Sequence, residues 1–517
     1  MKKLAFTLLT AILALSLTAC AFNDKSNSDE GDGATEQKQD KKLVIANGTD
    51  MVTFDIHDHN TTSTEAIHIN MFNYLVKNLG DGEFESDLAE SWENVDDTTW
   101  KFKLKEGIKF HNGEDLTAED VKFTLERVAK DNKLLEYGNY KQIKEVKVIN
   151  DHEFEIITHE PEPALLNRVS RLGSGILPSQ YIEEEGWDTF LKEPVGTGPY
   201  KFVEWKKDDR VVLEANPDYF GEEPKWEELV FRSIPEDSTR VSELLTGGVD
   251  IAANVPPSDW NRIKDNEGTD IAKSPTQRVM MLVLRHTEGH PTSDPKVREA
   301  IDLAIDKQAI LDSLMEGAGT VTRTRVTPGN TGANEDLYQK TLYDPEKAKE
   351  LLKEAGYEDG LELELSAPNG RYLKDKESAE LMQAMLKEVG IDVKLNFLEW
   401  SSFAEKYSSK KFGDMFLIGY GNSMFDAALA LERLSKEQAV GETDYDNPEV
   451  EKLLQDAMSN MDPKERAEQY KKAQEIIAED RPQIYLYQLD SVYGYNEGLK
   501  FEPRLDEMII ADEITLK

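Results

Sequence analysis

The only cysteine of this chain, Cys20, stands at the end of an apolar leader, and this position limits how the rest of the chain can be held together. Lys2 and Lys3 precede an apolar run over residues 4–17, and small residues lead into Cys20. This order predicts a secretory signal peptide over residues 1–19. The run is too short to span a bilayer as a helix. Because no cysteine follows Cys20, we expect a folded part without disulfides and without a cysteine nucleophile.

The segment Leu17-Thr18-Ala19-Cys20 resembles the processing site of bacterial lipoproteins. The resemblance implies cleavage before Cys20 and lipidation of its thiol and amino group. We therefore expect an extracytoplasmic protein that is lipid-anchored to the bacterial cell membrane. Residues 20–41 form the predicted tether, since residues 23–40 contain no Val, Ile, Leu or aromatic side chain and cannot bury enough surface to fold.

The charge and the length exclude some classes of partner and architecture. The chain has 101 acidic and 61 basic residues, for a net charge of −40. Such a chain repels phosphate backbones, so we expect no nucleic-acid partner. Its 517 residues exceed what one compact core usually organises, which predicts several domains.

Strand and helix signals alternate along the chain, which predicts the α/β class. Short apolar or alternating runs typical of strands occur at residues 43–46, 100–104, 153–157 and 393–397. A capping side chain followed by proline predicts the start of a helix. Such pairs begin at Asp294, Asp344, Asn447 and Asp462.

Motifs for catalysis, metals and cofactors are mostly absent from the sequence. It has no phosphate-binding GxxxxGK[ST], no HExxH, no GxSxG and no CxxC. The close histidine pairs are His57 with His59 and His286 with His290, and we favour exposed or hydrogen-bonded histidines over a metal site at either. We therefore expect no enzyme, no cofactor and no metal ligand.

Several segments occur in a characteristic order. They are Leu88-Ala89-Glu90-Ser91-Trp92-Glu93, Trp100-Lys101-Phe102-Lys103-Leu104-Lys105-Glu106-Gly107, Phe110-His111-Asn112-Gly113-Glu114, Gly196-Thr197-Gly198-Pro199-Tyr200, Val297-Arg298-Glu299-Ala300 and Leu351-Leu352-Lys353-Glu354-Ala355-Gly356-Tyr357. From residue 43 onward the chain resembles the peptide-binding proteins of bacterial ABC importers, solute-binding family 5. That family includes dipeptide-, oligopeptide-, glutathione- and nickel-complex-binding members.

The resemblance implies a two-lobed periplasmic-binding-protein-like type II fold with an extra domain inserted in lobe I. The implied boundaries are 42–84, 196–283 and 488–517 for lobe I, 85–195 for the inserted domain and 284–487 for lobe II. The two crossovers between lobes fall near residues 284–286 and 486–488. The implied partners are a small peptide-like ligand, bound by lobe closure, and an ABC permease with its associated ATPases. We expect a monomer.

The resemblance also implies ligand residues in lobe II. Dipeptide-binding relatives carry Gly-Trp-x-x-Asp, whose aspartate holds the peptide ammonium. Here Tyr420 matches the tryptophan, and Asn422 and Ser423 follow, with Ser423 at the aspartate position. Asp426 could supply the charge from another angle. The serine makes the segment similar to that of glutathione-binding members, so we expect short peptides or glutathione-like compounds as ligands.

Arg371 follows a predicted strand and matches the arginine that grips the ligand carboxylate in dipeptide binders, a role suited to bidentate pairing. Lobe I is expected to contribute Asn47 and Thr49 from the loop after its first strand. His286 stands at the first crossover and could contact the ligand or only the crossover. The alternatives are a binding protein for a nickel or other metal chelate, with His286 or His290 at the ligand, and a secreted hydrolase.

Overall fold

Strands form mainly where apolar residues run together or alternate with polar ones. The computed structural model describes residues 41–517, so the signal peptide, Cys20 and all but the last residue of the tether lie outside it. Its strands are β1 (Lys42–Asn47), β2 (Val76–Gly80), β3 (Glu83–Ser86), β4 (Ala89–Asp96), β5 (Thr99–Leu104), β6 (Ile143–Asn150), β7 (Glu153–Thr158), β8 (Tyr200–Lys206), β9 (Arg210–Ala215), β10 (Glu228–Ser233), β11 (Ile251–Ala252), β12 (Thr269–Leu284), β13 (Gly319–Val321), β14 (Leu361–Pro368), β15 (Ile391–Leu398), β16 (Met415–Tyr420), β17 (Gln483–Asn496), β18 (Leu499–Lys500) and β19 (Thr515–Leu516).

Several helices begin after a residue whose side chain accepts a backbone N–H of the first turn. They are α1 (Thr62–His68), α2 (Ala118–Lys130), α3 (Tyr137–Tyr140), α4 (Leu165–Arg168), α5 (Ser179–Glu185), α6 (Trp187–Phe190), α7 (Asp237–Leu245), α8 (Trp260–Lys264), α9 (Pro295–Ala304), α10 (Lys307–Leu314), α11 (Pro345–Glu354), α12 (Asp375–Glu388), α13 (Trp400–Ser408), α14 (Ala427–Leu431), α15 (Lys436–Ala439), α16 (Pro448–Ser459) and α17 (Pro463–Asp480). The four predicted starts are confirmed, since Asp294, Asp344, Asn447 and Asp462 each accept a backbone N–H of the first turn.

One large sheet runs through both lobes. Its strand order is β15-β14-β16-β12-β17-β11-β1-β10-β9-β8, with β13 paired to β17. With the predicted boundaries, the end with β11, β1, β10, β9 and β8 falls in lobe I, and the end with β16, β14 and β15 falls in lobe II. The long strands β12 and β17 pair antiparallel with each other, and each crosses a predicted boundary.

Strand β12 changes its pairing partners along its length. Pro275 pairs with Asp490 and Val279 with Gln488, so β12 has an irregularity between these two pairs. From Val279 onward β12 pairs with β16 of lobe II. The crossover predicted at residues 284–286 stays a prediction.

A second sheet, of order β4-β5-β7-β6, lies within residues 85–195 and has its own core. Phe102 and Phe154 stack at its centre, with their ring centroids 5.4 Å apart. The Gly196-Thr197-Gly198 segment, at the return to lobe I, packs directly on Met71. A side-chain carbon at Gly196 would lie 2.0 Å from the carbonyl oxygen of Met71, so close packing explains this glycine.

Across residues 41–517 we find no helix with the length and apolar character needed to cross a membrane.

Candidate ligand-binding site

The carboxyl ends of β14 and β16 meet at one edge of lobe II. The two strands are parallel, so the loops that follow them emerge on the same side. After β14, the carboxylate of Asp375 accepts the backbone N–H groups of Gly370, Arg371 and Tyr372 at 2.8–3.0 Å. The Tyr372 hydroxyl then donates to the carbonyl of Gly419 at 3.0 Å. These bonds hold the Arg371 loop beside the end of β16.

Four arginines surround this end of β16, and we call Arg278, Arg325, Arg371 and Arg433 the arginine cluster. Arg278 and Arg325 donate to the carbonyls of Gly419 and Gly421 at 3.3 and 3.0 Å. The guanidinium carbon of Arg433 lies 5.2 Å from the Tyr420 ring centre. That of Arg371 lies 5.1 and 5.0 Å from the rings of Tyr372 and Trp400.

The carboxylates near the arginine cluster do not balance its charge. Glu507 pairs with Arg278 and Glu442 with Arg433, both at 3.2 Å. Within residues 41–517, neither Arg325 nor Arg371 forms a salt bridge, and the buried Nε of Arg325 has no hydrogen-bond partner. In a chain with a net charge of −40, a local excess of guanidinium groups marks a place suited to an anionic ligand.

Arg371 is the member of the cluster best placed to meet a ligand. The residue is exposed, yet its guanidinium lies between two aromatic rings near another arginine. Partial burial and the positive charge of Arg278 lower the pKa of Arg371. A ligand carboxylate would offset both effects, which supports the expected role of Arg371 as the carboxylate grip.

Tyr420 is half-buried, and its polar end is occupied within lobe II. Its hydroxyl lies 2.6 Å from the hydroxyl of Tyr407 and 3.2 Å from Oε1 of Glu442. The guanidinium carbon of Arg325 lies 4.6 Å from its ring centre. Burial and these neighbours raise the pKa of Tyr420 well above its ordinary value. Tyr420 therefore orders the arginine cluster, and its role as a ligand contact stays a prediction.

The geometry argues against Asp426 as the partner of a ligand ammonium. Asp426 is buried, and its two carboxylate oxygens accept from Arg466 of α17 at 2.6 and 2.7 Å. It also caps α14 by accepting from the N–H of Ala428 at 2.8 Å. Asn422 is buried as well and donates to Asn330 and to the carbonyl of Asp426. Both residues support the loop from within.

Ser423 is exposed and joins the two lobes. Its hydroxyl accepts from Nε of Arg171, at 2.8 Å, and Arg171 in turn pairs with Glu136 at 2.6 Å. The next residue on the loop takes part too, since the carbonyl of Met424 accepts from the amide of Asn167 at 2.8 Å. The loop after β16 therefore contacts the lobe I side of the molecule directly.

Asn47 and Thr49 lie at the carboxyl end of β1, where parallel strands β10 and β11 also end. Asn47 is buried and Thr49 is exposed, with its hydroxyl 3.1 Å from that of Ser63. Their roles as ligand contacts stay predictions.

His286 lies beyond the last residue of β12, past the pairing of Leu284 with Met415. Val279, which lies seven positions before His286 in the chain, pairs with Tyr420. The backbone N–H of His286 donates to the carbonyl of Thr443 at 2.7 Å, and the preceding residue, Glu442, pairs with Arg433 of the arginine cluster. His290 is 2.9 Å from Asp414. That either histidine contacts a ligand stays a prediction, and so does the metal-chelate alternative that depends on it.

Three members of the arginine cluster were missed in the sequence, namely Arg278, Arg325 and Arg433. Arg278 carried a usable signal, since it directly precedes the apolar run of residues 279–284 in which a charge is out of place. Arg325 lies in an irregular segment and Arg433 in a short 3₁₀ helix (Glu432–Leu434), and no local pattern distinguishes either from a surface arginine.

The profile of the bacterial extracellular solute-binding proteins, family 5 (middle), matches residues 83–442, which is more than half of the chain. The chain belongs to this family. As a member it is an extracytoplasmic solute-binding receptor and not an enzyme, which removes the secreted hydrolase from consideration.

Individual relatives cover almost the whole of this solute-binding protein. It is 28% identical to the oligopeptide-binding protein AppA of Bacillus subtilis, over 98% of this chain and 97% of the relative. It is 30% identical to the glutathione-binding protein GsiB of Salmonella typhi, over 89% and 91%. The periplasmic binding protein DppA of Helicobacter pylori, solved with the peptide STSA, superposes with a TM-score of 0.80 at 27% identity, over 92% of this chain and 98% of that chain.

Proposed function

We propose that this receptor takes up short peptides or glutathione-like compounds that carry a free carboxylate, and delivers them to an ABC permease with its cytoplasmic ATPases. The arginine cluster carries this proposal, because it gathers uncompensated positive charge at an edge where lobe II faces lobe I. The named ligands of the relatives, oligopeptides and glutathione, are of the same chemical class.

Lobe closure follows from contacts on both sides of the ligand. A ligand that touches both lobes favours the closed arrangement by the difference in its affinity for the two states. In our proposal Arg371 binds the carboxylate from lobe II, and Asn47 and Thr49 contribute from lobe I. We retain the boundaries 85–195 for the inserted domain as part of the proposal.

Thermal unfolding with a panel of ligands tests the function. Di- and tripeptides, their C-terminal amides, glutathione and a nickel–histidine chelate are each added to the protein. A bound ligand raises the unfolding temperature in proportion to RT ln(1 + [L]/Kd). We expect the compounds with free carboxylates to lead the panel and to be recovered intact. A response led by the nickel chelate, or by the amides, would contradict the proposed ligand class.

Ser423→Ala tests the contact between lobes. The change removes the acceptor of the Arg171 Nε–H bond, and Arg171 keeps its pairing with Glu136. We expect peptide affinity to fall by about 0.5–1.5 kcal/mol. The free energy of unfolding should change little, because the hydroxyl is exposed. Calorimetric titration measures the affinity.

Ser459→Ala is a matched control, since that hydroxyl is exposed and bonds only to carbonyls of its own helix. Equal affinity of the Ser423 variant and this control would show that the contact plays no part in binding.

The same proposal makes the receptor a monomer anchored by lipid at Cys20. Cys20→Ser should leave the precursor unlipidated and released from the membrane fraction. Metabolic labelling with a radioactive fatty acid measures this, with the unchanged chain as the control. Continued labelling of the variant would overturn the assignment of the anchor.

A further inference from the structure

A second group of polar side chains is buried in lobe I, among residues that are not part of the arginine cluster. His59 lies in the loop after β1, and Glu65 and His68 lie three residues apart on α1. Their exposed fractions are 1%, 3% and 1%. Loop and helix together direct two imidazole nitrogens and one carboxylate oxygen to a common point, all within 4.8 Å of one another.

The spacing of these atoms is close to that of ligands around zinc. Nε2 of His59 lies 3.3 Å from Nδ1 of His68, and Oε2 of Glu65 lies 3.8 Å from each of them. Bonds of about 2.0–2.2 Å in a tetrahedron separate the ligand atoms by about 3.3–3.6 Å. The two nitrogens share a hydrogen bond in this structure and already lie at the required spacing, and the carboxylate oxygen needs to move by only a few tenths of an ångström.

The carboxylate oxygen that faces the histidines is unsatisfied. Oε1 of Glu65 accepts from the hydroxyl of Tyr74, whereas Oε2 has no hydrogen-bond partner among the described residues. A buried acceptor without a partner is costly. A divalent cation would provide both the missing contact and the opposite charge.

Hydrogen bonds from the two histidine rings to the surrounding backbone determine which ring nitrogens can bind a metal. Nε2 of His68 lies 3.0 Å from the carbonyl oxygen of Thr53. Because a carbonyl only accepts, this Nε2 carries the proton, and Nδ1 presents its lone pair to the centre of the group. Nδ1 of His59 is 3.3 Å from the N–H of Thr61. A metal on Nε2 of His59 requires the proton on Nδ1, so this long contact must open when the metal binds.

We propose that His59, Glu65 and His68 form a zinc-binding site in lobe I, with the fourth position left for a water or another oxygen ligand. Two imidazoles and one carboxylate are a donor set that zinc accepts readily. The site does not depend on the proposed peptide ligand. It would fix the loop after β1 to α1 and so stabilise the part of lobe I that carries Thr49.

Metal binding by the full-length protein in detergent tests the proposal. The protein is stripped with a chelator and dialysed against buffered micromolar free Zn²⁺, and zinc is measured by elemental analysis. We expect about one tightly held zinc per chain and a higher unfolding temperature. His68→Gln and Glu65→Gln should each lower the affinity at least about 100-fold. Co²⁺ in place of zinc should give the visible absorption of a four-coordinate site.

The double variant His286→Gln, His290→Gln is the control, because it removes a close histidine pair outside the group. It should keep the zinc. Wild-type protein that holds no more zinc than the Glu65→Gln variant overturns the proposal, as does equal loss in the control. If the variants fail to fold, the Co²⁺ spectrum of the wild type tests the proposal. A spectrum typical of six-coordinate Co²⁺, or no visible bands at all, would contradict the site.

Discussion

Replacing Arg466 by methionine is expected to lower the free energy of unfolding by about 3–5 kcal/mol, the cost of leaving a buried charge without its partner. Arg466 and Asp426 are both buried and form two parallel hydrogen bonds. Methionine keeps much of the side-chain volume, so the change isolates the lost pairing. Urea denaturation followed by circular dichroism measures the effect.

A double variant, Arg466→Met with Asp426→Asn, provides the matched comparison. Asparagine has no charge to leave unpaired and still caps a helix well, so we expect most of the lost stability to return. Arg262→Met removes an exposed partner of Asp259 and should cost at most about 1 kcal/mol. If Arg466→Met lowers the free energy of unfolding no more than Arg262→Met does, the buried ion pair does not stabilise the protein. The structural role given to Asp426 would then be wrong.

Arg371→Ala is expected to weaken binding of a peptide with a free carboxyl terminus by about 1.5–3 kcal/mol. The guanidinium has no salt bridge within residues 41–517, so its removal leaves no protein carboxylate unpaired. The loss should therefore appear in binding and not in the free energy of unfolding. Calorimetric titration with the best peptide of the panel measures it.

The amidated form of the same peptide makes this test specific. Amidation should weaken binding to the wild type but hardly affect the Arg371→Ala variant, because each change removes one partner of the same contact. Arg262→Ala, an exposed arginine of lobe I, should bind both peptides like the wild type. Equal losses for both peptides in the Arg371 variant would show that the guanidinium does not contact the carboxylate.

Local signals in the sequence predicted local structure well. The helix starts at Asp294 and Asp462 follow from a capping side chain and a proline that are adjacent in the chain. The capping role of Asp426 was also readable, since it directly precedes the apolar residues of α14. Its partner Arg466 lies 40 residues further along, and nothing in the local sequence connects the two.

The positions of candidate site residues depended on which strands meet, and there the sequence was less informative. Arg371 could be placed at a strand end because its strand and loop are contiguous. His286 could not be placed against a ligand in this way, because the sequence does not show which segments pack beside the end of β12. The group of His59, Glu65 and His68 could not be recognised either, since spacings of six and three residues match no common metal motif. Only the turn from loop into α1 brings the three side chains together.

The shared strands β12 and β17 limit how the two lobes can move. Each pairs with the other on both sides of the irregularity between Pro275 and Val279, so neither lobe can slide along the other without breaking that ladder. The main motion that this pairing allows is bending of the β12–β17 ribbon, with each lobe moving as a rigid body. A permease that touches both lobes would then meet the same relative placement of two surfaces for every accepted cargo. A single docking geometry can thus serve a receptor whose ligands differ in side chains.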